Sequence, residues 1–133
     1  MIRRANINDA SNIAKLDAMM FKDSLGLDFV VNDLLNNQFA YYFVCEIDGE
    51  VIGYINCWIT DITEILNFCV LDKYQNQGIG KLLFDEVLKE LKRRRLFAKR
   101  TLIVFDRGYY SLENYKIGIN RYKIIPIIFP KYE

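Results

Sequence analysis

Six residues, Gln75-Asn76-Gln77-Gly78-Ile79-Gly80, stand between a strand-like apolar run, Ile65 to Val70, and an amphipathic run, Lys81 to Lys92. A glycine-rich turn that opens a helix presents backbone N–H groups without intrahelical partners at the positive end of the helix dipole. Such a turn suits a phosphate or pyrophosphate. Two other phosphate-binding turns do not fit the letters. A P-loop places Ser or Thr after Gly-Lys and another glycine five residues earlier, but Leu82 follows Gly80-Lys81 and Gln75 stands at the earlier position. A Rossmann turn needs a third glycine where Leu83 stands. The chain has no histidine, which removes the Cys-His pair and the usual Ser-His-Asp triad from the available chemistry. Cys45, Cys57 and Cys69 lie in strand-like apolar runs with no histidine to complete a metal site, and read as small core residues of a reduced protein.

The neighbouring elements must hold this turn in place. Thr63 to Val70 reads as the strand that enters it, after a bend at Thr60-Asp61-Ile62. Leu82, Leu83, Val87, Leu88 and Leu91 mark one face of the helix that leaves it. Thr101 to Val104 returns as a strand, so the unit implies a right-handed parallel crossover. Upstream, Tyr41 to Ile47 and Val51 to Ile59 form a hairpin about Asp48-Gly49, a pair that supplies the positive φ angles of a primed turn. Ile2 to Arg4 makes a short first strand. Asn8-Asp9-Ala10-Ser11 offers N-cap residues for a helix carrying Ile13, Leu16, Met19 and Met20 and ending at Phe21. Beyond Ser24-Leu25-Gly26, Leu27, Val30, Val31, Leu34 and Leu35 make a second helix that ends at Asn36-Asn37. The expected architecture is α+β: a mixed central β-sheet flanked by helices, in one domain over residues 1–133.

Composition narrows the class further. With 133 residues, 52 % of them apolar, the chain can bury one proper core and does not suggest two. A net charge of +1 supplies no global field toward nucleic acid or membrane. No run approaches membrane-spanning length and no signal segment is apparent, so a cytoplasmic protein without membrane contact is expected. Lys92-Arg93-Arg94-Arg95, with Lys99 and Arg100, is a cationic cluster that complements a helix C-terminus, and direct nucleic-acid binding is not expected of it.

The segment Asn67-Phe68-Cys69-Val70-Leu71-Asp72-Lys73-Tyr74-Gln75-Asn76-Gln77-Gly78-Ile79-Gly80-Lys81-Leu82-Leu83 resembles the acetyl-CoA-binding segment of GNAT acetyltransferases. That family's pattern is a strand, Val-Asp-Pro-x-Tyr, Gln or Arg-x-x-Gly-x-Gly or Ala, then a helix. Within it the likeness is greatest to the RimI-like branch, which acetylates the N-terminal residue of a ribosomal protein. The resemblance implies acetyl-CoA as cosubstrate. Phe68, Cys69 and Val70 would contact its acetyl and pantetheine parts, and Gln75, Asn76, Gln77, Gly78, Ile79, Gly80 and Lys81 would hold its pyrophosphate end. It implies direct attack of a neutral amine on the thioester, with a base for the ammonium proton and an acid for the departing thiolate. A backbone N–H aimed at the thioester oxygen would be worth about 3 kcal/mol.

Counting from Val104 puts Tyr115 at the family's acid position, followed by Lys116-Ile117-Gly118-Ile119. The family's strand glutamate is replaced by Ile103, which leaves Glu64 as the best remaining carboxylate for the base and Asp61 behind it. The acceptor, a peptide or protein N-terminus and by this likeness a ribosomal protein, would enter beside the loop from Phe21 to Leu27. Tyr41, Tyr42, Trp58, Tyr109 and Tyr110 read as core or sheet-face packing rather than groove. The family's last C-terminal strand is expected to be missing. An apolar tail from Ile124 to Phe129 without a partner strand would expose an edge, which a second copy in a homodimer is expected to cover. Ile103, and Gly108 where the family has asparagine, also allow an acetyl-CoA-binding protein that no longer catalyses. A small-amine acetyltransferase is the third reading.

Overall fold

The computed structural model describes residues 1–94, 101–105 and 124–128. Their order is β1 (Ile2–Arg4), a 3-10 turn (Ile7–Asp9), α1 (Ala10–Met20), α2 (Leu27–Asn36), β2 (Ala40–Ile47), β3 (Glu50–Ile59), β4 (Thr63–Val70), a second 3-10 turn (Asp72–Tyr74), α3 (Ile79–Arg93), β5 (Thr101–Phe105) and β6 (Ile124–Ile128). The strands form one mixed sheet in the order β1-β2-β3-β4-β5-β6. The first four pair antiparallel, whereas β4 with β5 and β5 with β6 pair parallel. The hairpin turns where its residues predict: Asp48 has φ 52° and Gly49 φ 78°.

Two clusters fill the two faces of the sheet. On one, Ile79, Leu83, Phe84, Val87, Leu88 and Leu91 of α3 pack on Tyr41, Phe43 and Cys45 of β2 and on Ile52, Ile55, Cys57 and Ile59 of β3. On the other, Ala10, Ile13 and Leu16 of α1 and Val30 of α2 pack on Tyr42, Val44, Tyr54 and Cys69. Tyr41 and Tyr42 are thus core residues, as their strand spacing implies, and Trp58 stacks on Phe29. Met19, Leu27 and Leu35, expected on the apolar stripes of their helices, are exposed instead. Each lies at the rim of its stripe, beyond the reach of the sheet.

Two further differences concern the ends of elements. Helix α3 starts at Ile79 rather than Lys81, with Gly78 as its N-cap, so Gly80 lies inside the helix. Ile124–Ile128 has a partner, since Thr101 lies opposite Ile124 and Ile103 opposite Pro126. Strand β6 is the outermost strand of the described sheet, where a proline's missing N–H is tolerated. The expected absence of the family's last strand concerns the chain beyond β6, which is outside the described residues.

Candidate cofactor and acceptor site

Strand β4 does not follow a regular ladder. Asn56 faces Asn67 and Cys57 faces Ile65, so Leu66 is an extra residue, a β-bulge. Asn67 N–H donates to Asn56 Oδ1 at 2.7 Å, which satisfies the backbone group that the bulge takes out of the ladder. Among the described residues the parallel pairing of β4 with β5 spans only Thr63–Ile65, opposite Ile103–Phe105. A cavity of about 370 Å³ lies along β4 beyond that described pairing. Phe68, Cys69 and Val70 line it from the strand. Tyr74, Gln75, Asn76, Gly78, Ile79 and Gly80 line it from the turn, and Met20 and Phe21 from the end of α1.

The turn takes its shape from a few contacts. Leu71 N–H donates to Ile52 O at 2.7 Å, and Gln75 Nε2 donates to Val70 O at 2.8 Å and to Asp72 Oδ1 at 3.2 Å. The Gln75 side chain therefore braces the turn against the end of β4. Asn76 has φ 64° and Gly78 φ 82°, so the chain enters the left-handed region twice just before the helix. The first intrahelical bond runs from Leu82 N–H to Gly78 O, and the preceding N–H groups of the first turn have no intrahelical acceptor. A Cβ on Gly80 would meet only the Phe68 ring, at 3.5 Å, so the helix start lies open toward Phe68. On β3, Gly53 leaves little room for a side chain. A Cβ there would meet Cys69 O at 3.1 Å and Leu83 at 3.4 Å, which is how the end of β4 and α3 close on each other.

Behind the cavity lies a polar cluster that the hydrophobic patterns did not announce. Asp17 of α1 is wholly buried. Its Oδ2 accepts the Leu25 N–H at 2.6 Å, and its Oδ1 accepts Asn67 Nδ2 at 2.5 Å and the Tyr54 hydroxyl. Burial raises the Tyr54 hydroxyl above its ordinary range, reinforced by Cys69 and Asp17, so it remains a donor. Burial likewise pushes the Cys69 thiol up, and it stays neutral rather than becoming a nucleophile. A second buried carboxylate, Asp33 of α2, accepts Asn37 Nδ2 at 2.8 Å, the Tyr42 hydroxyl at 2.8 Å and Trp58 Nε1 at 3.0 Å. Both acids fall on the inward face of an otherwise apolar helical stripe, four residues after Ile13 and three after Val30. That misplaced charge is the signal by which sequence reading could have found them.

Of the residues expected at the cofactor, Phe68, Cys69, Val70, Gln75, Asn76, Gly78, Ile79 and Gly80 line the one cavity. Gln77 and Lys81 are not among its lining residues. The Lys81 ammonium pairs along the helix with Asp85 at 2.9 Å. Met20 and Tyr74 join without having been singled out. Glu64 is half-buried toward the other end of β4, opposite Trp58 on one side and Val104 on the other, and does not line the cavity. Ile103 is fully buried. Tyr115, with Gly108, Tyr109 and Tyr110, lies outside the described residues. Of the basic cluster, Arg93 pairs with Glu90 at 2.6 Å and Arg94 lies 5.2 Å from the Tyr41 ring centre, while Arg95, Lys99 and Arg100 lie outside the described residues. Among the described residues no group of three potential metal ligands gathers, and no helix is long and apolar enough to cross a membrane.

A mixed sheet with antiparallel β1 to β4, a parallel pair of β4 and β5, and a glycine turn that caps the intervening helix sets the class. The acetyltransferase (GNAT) family model matches residues 9–119, and the chain belongs to that family. A protein of Bacillus subtilis (strain 168), provisionally named a ribosomal protein bS18-alanine N-acetyltransferase, is 32 % identical over 99 residues. That match covers 71 % of this chain and 66 % of the relative, just under two thirds of its length. Among solved structures, an aminoglycoside acetyltransferase from an uncultured soil metagenomic sample shares the fold with a TM-score of 0.68, at 20 % identity over 87 % of this chain and 84 % of that one. An N-acetyltransferase of Thermoplasma acidophilum solved with coenzyme A aligns with a TM-score of 0.61, at 20 % identity over 72 % of this chain and 74 % of that one.

Proposed function

We propose that this chain, as one domain, is an acetyl-CoA-dependent N-acetyltransferase that acts on the α-amine of a protein N-terminus. The observation that carries the reading is the shared cavity, in which the C-terminal end of β4, the glycine turn and the end of α1 meet. The cavity fits the cosubstrate. Left-handed backbone at Asn76 and Gly78 and the open start of α3 form a cradle for phosphate oxygens, and the apolar wall of Phe68, Cys69 and Val70 suits a pantetheine arm. Acetyl-CoA supplies, when bound, a thioester carbonyl open to attack by an amine.

The chain's own residues do the rest. Backbone of β4 beyond the bulge, where Phe68, Cys69 and Val70 line the cavity, is assigned to the acyl group. Met20 and Phe21 face it from the acceptor side and exclude water. Tyr115 is assigned the proton donor at its hydroxyl. Glu64 is assigned the base, and its position off the cavity means that it would take the ammonium proton through water. The acceptor is a peptide N-terminus, on the model of the Bacillus relative named for the alanine of ribosomal protein bS18.

A second reading, an acetyl-CoA-binding protein without catalysis, draws on Ile103, a fully buried apolar residue where the family has its glutamate. The two separate in one experiment: thiol release from acetyl-CoA against peptides with free Ala, Ser and Met N-termini and against polyamines, beside calorimetric acetyl-CoA binding. Turnover on one peptide class, falling at least 10²-fold in Tyr115→Phe, supports the transferase and its acid. Turnover on polyamines alone moves the substrate to small amines, and binding without turnover moves the chain to the second reading.

A further inference from the structure

We propose that Asp17 is a positioning residue for the acceptor: its buried carboxylate ties the loop between α1 and α2 to the strand that lines the cofactor cavity. The inference rests on the transferase reading above. Leu25 lies in that loop, one residue before Gly26, whose φ of 84° starts α2. Its N–H is held at 2.6 Å by Asp17 Oδ2, while the other carboxylate oxygen holds Asn67, the residue next to the cavity-lining Phe68 and Cys69. A single carboxylate therefore spans the acceptor loop and the cofactor strand. Among the described residues the three donors on Asp17 are neutral and no cation pairs with it, and a carboxylate so far removed from water is a costly choice where an apolar side chain would pack the helix. Geometry explains the choice. A carboxylate offers one oxygen to the loop amide and the other to the strand side chain, and the loop carries Phe21 on the cavity wall. A loop released from this tie would present the acceptor wall less often, which weakens acceptor binding rather than the chemical step.

Asp17→Asn keeps the volume and replaces one of the two accepting oxygens by an N–H₂ group. The expected result is a rise of about tenfold in acceptor KM, with kcat and the acetyl-CoA Kd changed less than about threefold. Hydrogen exchange should quicken over residues 21–26 and stay unchanged in β3 and α3. Tyr54→Phe, which removes a donor on the strand side and leaves Leu25 bonded, should leave acceptor KM within about twofold of wild type. Equal loss of kcat and acetyl-CoA binding, or faster exchange spread over β3 and α3, overturns the proposal in favour of a general structural role. In the unaltered protein the Leu25 amide should exchange as slowly as the amides of α1, and fast exchange there overturns the proposal even if Asp17→Asn does not fold. If the wild-type chain binds acetyl-CoA and acetylates no acceptor, the transferase reading fails, and an unchanged loop exchange in Asp17→Asn still overturns the tether independently.

Discussion

The two faces of the central sheet are built differently. Under α3, six apolar side chains of the helix pack on apolar, tyrosine and cysteine side chains of β2 and β3, and hydrophobic burial dominates that contact. Under α1 and α2 the same sheet buries two carboxylates, each of which collects three donors from neighbouring elements. Hydrophobic burial is indifferent to small sliding motions, whereas a buried hydrogen-bonded network fixes where each element sits. The α3 face supplies stability and a firm platform for the glycine turn. The α1–α2 face sets the position of the cavity wall where Met20 and Phe21 stand.

The contrast can be broken by substitution, and the largest effect is expected under α3. Leu83 is fully buried there, and Leu83→Ala should cost about 3 kcal/mol in urea unfolding while leaving acceptor preference untouched. Asp33→Ala on the opposite face strands three donors and should cost about 2 kcal/mol. Trp58, the sole tryptophan, loses its Nε1 acceptor in that variant, so its emission should change before global unfolding. A loss equal to or greater than that of Leu83→Ala would mean that the polar face is the main source of stability.

Smaller effects sharpen the picture of the turn. Gly78→Ala forces a side chain into the left-handed region and should cost about 1 kcal/mol, with weaker acetyl-CoA binding by calorimetry. Gly80→Ala meets only the Phe68 ring at 3.5 Å within a helix, and should raise stability by about 0.5 kcal/mol. The smallest effect belongs to Arg3 and Asp9. The two terminal guanidinium nitrogens of Arg3 each lie 2.8 Å from an Asp9 oxygen, which holds that carboxyl below its ordinary value of 3.8. A carboxyl held low in the folded state adds stability above its ordinary value and loses it as pH falls toward the folded value. The stability gap between wild type and Arg3→Ala should therefore be full at neutral pH and close below pH 3.8, measured by urea midpoints across that range.

Much of this was legible in the chain. The hairpin at Asp48-Gly49, strand β4 from Thr63 to Val70, and the helix after Gly78 follow from turn chemistry and periodicity, both of which are written in consecutive residues. Eight of the ten residues expected at the cofactor meet at the cavity because they belong to one strand, one turn and one helix start. What escaped was of another kind. Met19, Leu27 and Leu35 share the helical spacing of buried neighbours but lie at the edge of what the sheet covers. Gln75 reads as a ligand contact, yet its amide turns back to Val70 O.

By itself the sequence determined the local backbone: where the chain must turn, where a left-handed residue is needed, and which stretches alternate or coil. These depend on interactions within a few residues, and residue types encode them directly. The tertiary structure alone decided the bulge at Leu66 and the role of Asp17. The donors to that carboxylate come from residues 8, 37 and 50 positions away, and the amide that settles the bulge is held from 11 positions away. Such contacts exist only once the helices have docked on the sheet. A buried charge has one arrangement that satisfies it, and that arrangement is a property of the assembled faces.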